Sequence, residues 1–171
     1  MRRFLLIVFF LLSLLISCDS KIQEKPTEHY HSFSVAENGY LVCSGCNTTI
    51  SDEYIGEIEN GEIKSYKLLS NSDSSSYLNI NADTISYTNN SLNTPDRSVV
   101  IYTVQERNFK INAPREKIYH YGKVGNIEIE DLSVGRYIEN GTVTGVLQII
   151  KGNIELNAQV SNIIVGLDGD T

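Results

Sequence analysis

The stretch Arg136–Val165, RYIENGTVTGVLQIIKGNIELNAQVSNIIV, carries the strongest fold signal in the sequence. Its apolar and β-branched residues form three short runs, separated by the tight-turn signals Asn140-Gly141 and Gly152-Asn153. A two-residue turn at the first signal places Ile138 opposite Val143, which makes an apolar cross-strand pair. We therefore expect a meander of three antiparallel strands, near residues 136–140, 142–151 and 154–165.

The Asn-Gly signal occurs at two further places in the chain, Asn38-Gly39 and Asn60-Gly61. A type I′ hairpin turn needs positive φ at both central residues, and asparagine and glycine tolerate this best. A turn at Asn60-Gly61 places Ile58 opposite Ile63, a pair that contributes about 0.2–1 kcal/mol. The sequence thus predicts hairpins on both sides of its centre.

Between these hairpins lie further segments rich in β-branched residues and tyrosine, near residues 77–80, 84–88, 99–105 and 117–121. No window combines helical periodicity with capping residues. We expect one all-β domain over residues 33–171, an antiparallel β-sandwich or small β-barrel built from hairpins. The pattern I-E-N-G-x-[IV] occurs twice, but its flanks differ, so we interpret it as shared turn chemistry and assign no repeat.

The amino terminus differs from the rest of the chain. Arg2 and Arg3 precede the run Phe4–Ile16, which holds no charge and one polar residue, Ser13. As a helix this run would extend about 20 Å, whereas the apolar interior of a bilayer is about 30 Å thick. A positive start followed by a short apolar run indicates an export signal rather than a membrane span.

The end of this run, Leu15-Ile16-Ser17-Cys18, resembles the lipobox of bacterial lipoproteins. The resemblance covers the leader only and implies cleavage before Cys18, with a diacylglycerol joined to its sulfur. It divides the chain into a signal peptide, residues 1–17, and a lipid-anchored tether, residues 18–32. Stable attachment through two or more acyl chains places the domain on the membrane, facing the periplasm or the cell exterior. Asp19 resembles an inner-membrane retention signal of the same family and favours that membrane.

The charge balance disfavours polyanionic partners. The chain has 14 basic and 21 acidic residues, and the loss of Arg2 and Arg3 with the leader would leave a net charge of −9. No basic cluster occurs along the sequence. Binding to nucleic acid or to anionic lipid headgroups is therefore disfavoured.

Two of the three cysteines form a short motif, Cys43-Ser44-Gly45-Cys46. Nearby thiols of an exported protein generally pair, so we expect a local disulfide between Cys43 and Cys46. A redox catalyst is the less favoured alternative, because the following Asn47–Ile50 is a poor helix start and would not lower a thiol pKa.

A metal site is the second interpretation of the same cysteines. His29 and His31 lie on one face of an extended segment, because side chains alternate with period two. With Cys43 and Cys46 they form H-x-H-x₁₁-C-x₂-C, four ligands that zinc or copper accepts. A turn at Asn38-Gly39 would bring the two pairs to the same side.

No catalytic residues can be named from the sequence. His120 lies between two tyrosines and is interpreted as an ordinary half-buried histidine. We expect a non-enzymatic, lipid-anchored envelope protein with a binding, accessory or structural role and an envelope protein as partner. The alternatives are a metal-binding lipoprotein using His29, His31, Cys43 and Cys46, and an envelope thiol–disulfide protein.

Overall fold

The computed structural model describes residues 29–70, 72–91 and 97–166. The chain divides after Tyr30, and the only described residues before this point, His29 and Tyr30, are both exposed. The described part of His31–Thr171 contains fifteen strands and no α-helix. The strands are β1 (Phe33–Val35), β2 (Leu41–Cys43), β3 (Thr49–Ile50), β4 (Tyr54–Glu59), β5 (Glu62–Leu68), β6 (Asp73–Ser74), β7 (Leu78–Ile80), β8 (Thr84–Thr88), β9 (Ser98–Thr103), β10 (Asn108–Asn112), β11 (Lys117–Val124), β12 (Ile127–Glu139), β13 (Thr142–Ile149), β14 (Gly152–Leu156) and β15 (Val160–Val165).

Membrane-spanning helices are not found in the described ranges, since none of their segments forms a long apolar helix. The segment interpreted as a signal peptide and most of the tether lie outside these ranges.

The first part of the domain is antiparallel, as expected. β4 and β5 form the predicted hairpin, in which Ile58 pairs with Ile63 and Glu59 with Glu62. Asn60 has φ 55° and Gly61 has φ 84°, the two positive values that a type I′ turn requires. A second hairpin, β1–β2, is also formed, but Val35 and not Ala36 pairs with Leu41. Gly39 has φ 85° and Asn38 has no positive φ, so the predicted two-residue type I′ turn is replaced by a longer loop over residues 36–40. β4 joins this part to β9.

The expectation of an antiparallel sandwich or small barrel is wrong for the rest of the domain. From β8 onward the chain forms a β-solenoid, in which strands pair in parallel with strands of the next coil. One face stacks β8, β10, the start of β12, the end of β13 and β15; another stacks β9, β11, the end of β12 and β14. A shorter third face joins the end of β11 to the start of β13 and of β15.

The stretch Arg136–Val165 is therefore more than one full coil and not a meander. Within it, the end of β12 pairs in parallel with β14, and β13 pairs in parallel with β15. Asn140-Gly141 forms a corner, and neither residue has positive φ, in contrast to Asn60-Gly61. A corner redirects the strand onto the next face, whereas a type I′ turn would have reversed it.

Apolar ladders fill the interior of the coils. Ile85, Phe109, Ile127 and Leu147 stand in register on successive coils and are each at most 1 % exposed. Each coil has roughly 20 residues, and its apolar side chains are buried only when a neighbouring coil stacks on them. The assignment of no repeat missed this period. It was right about the I-E-N-G-x-[IV] pair, because one copy is a hairpin and the other a corner.

Candidate metal centre

The first two strands bring the predicted ligands together. β1 pairs with β2 so that Phe33 lies beside Cys43, and the N–H of Ser44 donates to the carbonyl of Ser32 at 3.2 Å. His31 precedes this pairing by two residues, so its imidazole extends the same edge toward the turn after Cys43. The antiparallel pairing thus places a histidine next to the cysteine motif.

The motif itself folds back on Cys43. The N–H of Asn47 donates to the carbonyl of Cys43 at 3.0 Å, and the N–H of Cys43 donates to the carbonyl of Thr48 at 2.9 Å. Asn47 has φ 57°, a left-handed conformation that asparagine tolerates and that closes such a loop. This tight turn returns the thiol of Cys46 to the thiol of Cys43.

The separations between ligand atoms fit a tetrahedral metal site. The two sulfurs lie 3.6 Å apart, and the sulfur of Cys46 lies 3.4 Å from Nδ1 of His31. Tetrahedral zinc with ordinary bond lengths requires about 3.8 Å between two sulfurs and about 3.6 Å between sulfur and nitrogen. The ligand atoms of His31, Cys43 and Cys46 all lie within 4.8 Å of one another.

The expected disulfide between Cys43 and Cys46 is not formed. A disulfide bond is about 2.05 Å long, much shorter than the 3.6 Å observed. The spacing instead matches two thiolates that share a metal ion.

The surroundings of the site are half apolar and half solvated. Cys43 is fully buried, whereas Cys46 and His31 are exposed. The ring of His31 stacks on Phe33 with centroids 5.6 Å apart, and the hydroxyl of Thr48 lies 3.0 Å from the sulfur of Cys46. His31, Cys43 and Cys46 form a His/Cys group that could hold a metal ion. His29, the fourth ligand that the sequence predicts, lies in the other unit of the chain.

A buried polar network inside the coils was missed by sequence reasoning. His120 is fully buried and not half-buried: its Nδ1 lies 2.8 Å from Oε1 of Glu139 and its Nε2 lies 2.8 Å from the hydroxyl of Thr103. Glu139 also accepts hydrogen bonds from the hydroxyl of Tyr137 and the N–H of Gly141, both at 2.7 Å. Burial raises the pKa of Tyr137 well above its usual value, so its hydroxyl stays protonated and donates.

This network has the order of a hydroxyl–imidazole–carboxylate relay, but its geometry is structural. Thr103, His120 and Glu139 are each 0 % exposed, so no substrate reaches the hydroxyl. The hydroxyl already donates to the carbonyl of Lys123 at 2.7 Å. The only sequence signal for it was a histidine and a glutamate on the inward side of strands.

The lipidation site predicted at Cys18 lies outside the described residues. Comparison with known proteins adds no relative: no protein-family model, curated protein or solved structure matches this chain.

Proposed function

We propose that this chain is a non-catalytic, lipid-anchored envelope protein whose β-solenoid domain carries one structural zinc ion near its first strands. The ligands are His31, Cys43 and Cys46, and the sequence motif offers His29 as the fourth. Two distances carry the proposal: 3.4 Å between Nδ1 of His31 and the sulfur of Cys46, and 3.6 Å between the sulfurs of Cys43 and Cys46.

The ligand set favours a structural site over a catalytic one, and zinc over copper. Four protein ligands fill a tetrahedral shell, whereas catalytic zinc keeps one position open for water or substrate. The two thiolates suit zinc or monovalent copper, and zinc is preferred because two cysteines with two histidines form a recurrent structural zinc set. The ion would fasten the short strands β1–β3, which in the described sheet pair with the other strands only through Phe33 and Ile63.

The envelope location rests on the leader. The lipobox-like Leu15-Ile16-Ser17-Cys18 supports lipidation of Cys18, and the polar segment Asp19–Glu28 supports a tether between membrane and domain. A binding or accessory role with an envelope protein as partner fits a solenoid, since stacked coils offer extended surfaces.

We expect the full-length protein, purified under reducing conditions, to contain about one zinc ion per chain. The Cys43→Ser/Cys46→Ser variant should contain less than about a tenth of that amount, since removal of both thiolates leaves two neutral ligands. His31→Ala, a change at an exposed position, should weaken zinc binding at least tenfold without unfolding the domain. Elemental analysis and competition with a zinc chelator measure both quantities.

Tyr30→Phe is the matched control, because Tyr30 lies between the two histidines and offers no imidazole or thiol. It should keep the full zinc content. A folded wild-type protein without metal, with both cysteines oxidised, would contradict the proposal and favour a disulfide protein; easily exchanged thiols would favour the thiol–disulfide alternative.

Lipidation makes a separate prediction. In its own host the protein should begin at Cys18, carry a mass increase from at least two acyl chains, and sediment with membranes. Cys18→Ser should abolish the acyl mass and leave the leader uncleaved, whereas Cys46→Ser should change neither. Intact-mass spectrometry decides, and a wild-type product with an unmodified thiol at Cys18 would refute the anchor.

A further inference from the structure

The solenoid assembles a basic cleft that the sequence did not predict. Among the described residues, its lining holds four cations, four polar or small residues and no carboxylate. The cations are Arg97, Arg115, Lys117 and Arg136, and the others are Ser98, Val134, Gly135 and Asn153. The sequence contains no basic cluster, but the fold brings these four cations together. These positions are separated in the chain but fall at the same corner of successive coils.

Parallel register explains why the cations converge. Ser98 pairs with Lys117, and Lys117 pairs with Arg136, so the three residues stand side by side on β9, β11 and β12. Neighbouring strands lie about 4.8 Å apart. Arg97 lies just before β9, and Arg115 lies two residues before the start of β11. On β14, Asn153 lies next to Arg136 in the same register.

This arrangement stacks like charges, which is unfavourable without a counter-charge. Arg97 is held by Glu57 at 2.9 Å and Glu116 at 3.4 Å, and Arg136 by Glu155 at 3.2 Å. These carboxylates lie outside the lining of the cleft. They hold the guanidinium groups in place and offset part of the positive charge of the cluster, while the lining itself holds no carboxylate among the described residues.

The amino group of Lys117 has a different neighbour. It lies 4.9 Å from the centre of the Tyr119 ring, a cation–π contact that leaves ammonium N–H groups available to a ligand. The side chain of Lys117 is exposed, as is that of Arg136. The cleft thus combines an ammonium group with guanidinium forks, the two groups that proteins use for phosphate.

We propose that this cleft binds a phosphate group. A phosphate dianion presents three oxygens and nearly two charges, so it can engage several cations at once, whereas a single carboxylate is satisfied by one arginine. The hydroxyl of Ser98 and the amide of Asn153 add donors at the two ends of the row. The volume of about 290 Å³ fits a small phosphorylated molecule or one lipid headgroup. The proposal does not depend on the zinc site.

Calorimetric titration of the full-length protein in a non-ionic detergent at low salt tests it, with inorganic phosphate as the probe. We expect saturable binding with one phosphate per chain, weakened by added salt because the contacts are electrostatic. Lys117→Ala/Arg136→Ala should lower the affinity at least tenfold. Lys110→Ala/Lys151→Ala is the charge-matched control, since it also removes two exposed cations and neither lines the cleft, and it should bind as the wild type does.

A second probe, glycerophosphoglycerol, identifies the source of the phosphate. It is the tail-free headgroup of phosphatidylglycerol and carries a phosphodiester with one charge. Tighter binding of inorganic phosphate indicates a free phosphate or phosphomonoester, and tighter binding of the diester indicates a lipid headgroup. The proposal is overturned if neither probe saturates below about 10 mM, if Lys117→Ala/Arg136→Ala keeps its affinity, or if Lys110→Ala/Lys151→Ala loses as much.

Discussion

Replacing Gly122 by alanine is expected to lower the free energy of unfolding by about 4 kcal/mol or more, among the largest effects of a single methyl group. Gly122 pairs with Thr103 on the neighbouring coil. A Cβ atom at Gly122 would lie 1.9 Å from the carbonyl oxygen of Thr103. Because that oxygen belongs to the backbone, the coils would have to separate to relieve the clash.

Gly61→Ala is the matched control. Gly122 has φ 87° and Gly61 has φ 84°, so both substitutions force alanine into the left-handed region. That strain costs about 1–2 kcal/mol. Nothing lies within 4 Å of a Cβ atom at Gly61, so the control carries the strain without the clash.

Urea unfolding of the two variants and the wild type separates the two contributions. A domain of this size has a free energy of unfolding of roughly 5–15 kcal/mol. Gly61→Ala should shift the midpoint modestly, whereas Gly122→Ala should unfold at very low urea or fail to fold. Equal shifts for the two variants would show that the coils are not packed as tightly as the structure has them.

The sequence predicted the elements whose paired residues lie close together in the chain. The β4–β5 hairpin was predicted because Asn60 and Gly61 tolerate the required φ values and Ile58 lies close to Ile63 in sequence. Parallel pairing has no such local signal. Alternation of apolar and polar residues is the same whether a strand pairs in parallel or antiparallel, so the pattern in Arg136–Val165 fits both a meander and a coil.

The candidate sites divide in the same way. The metal ligands were found because one residue separates His31 from the first hairpin and the two cysteines share one turn. The basic cleft was missed because Lys117 and Arg136 meet only through parallel register. The disulfide was predicted from the redox compartment alone, and the compartment does not determine how far apart two sulfurs lie.

Replacing His120 by leucine is expected to destabilise the domain by about 3–5 kcal/mol, the usual cost of breaking a buried ion pair by removing one partner. The hydroxyl of Thr103 donates to the carbonyl of Lys123, so it can only accept from Nε2 of His120. One proton then remains between Nδ1 of His120 and Oε1 of Glu139. Leucine is similar in volume but removes that proton and leaves the buried carboxylate without its main partner.

A double-mutant cycle distinguishes this electrostatic cost from lost packing. Glu139→Gln in the His120→Leu background removes the uncompensated charge. The amide oxygen can accept from the N–H of Gly141 in the position of Oε1, and the amide N–H can donate to the hydroxyl of Tyr137 in the position of Oε2, so part of the lost stability should return. Ile118→Val, on the same strand and also fully buried, should cost only about 0.5–1.5 kcal/mol. We expect a coupling energy of about 1.5 kcal/mol or more between His120 and Glu139 from urea midpoints. Strictly additive effects would mean that the two groups are packed side by side without sharing a proton, and the network would then be three independent buried polar residues.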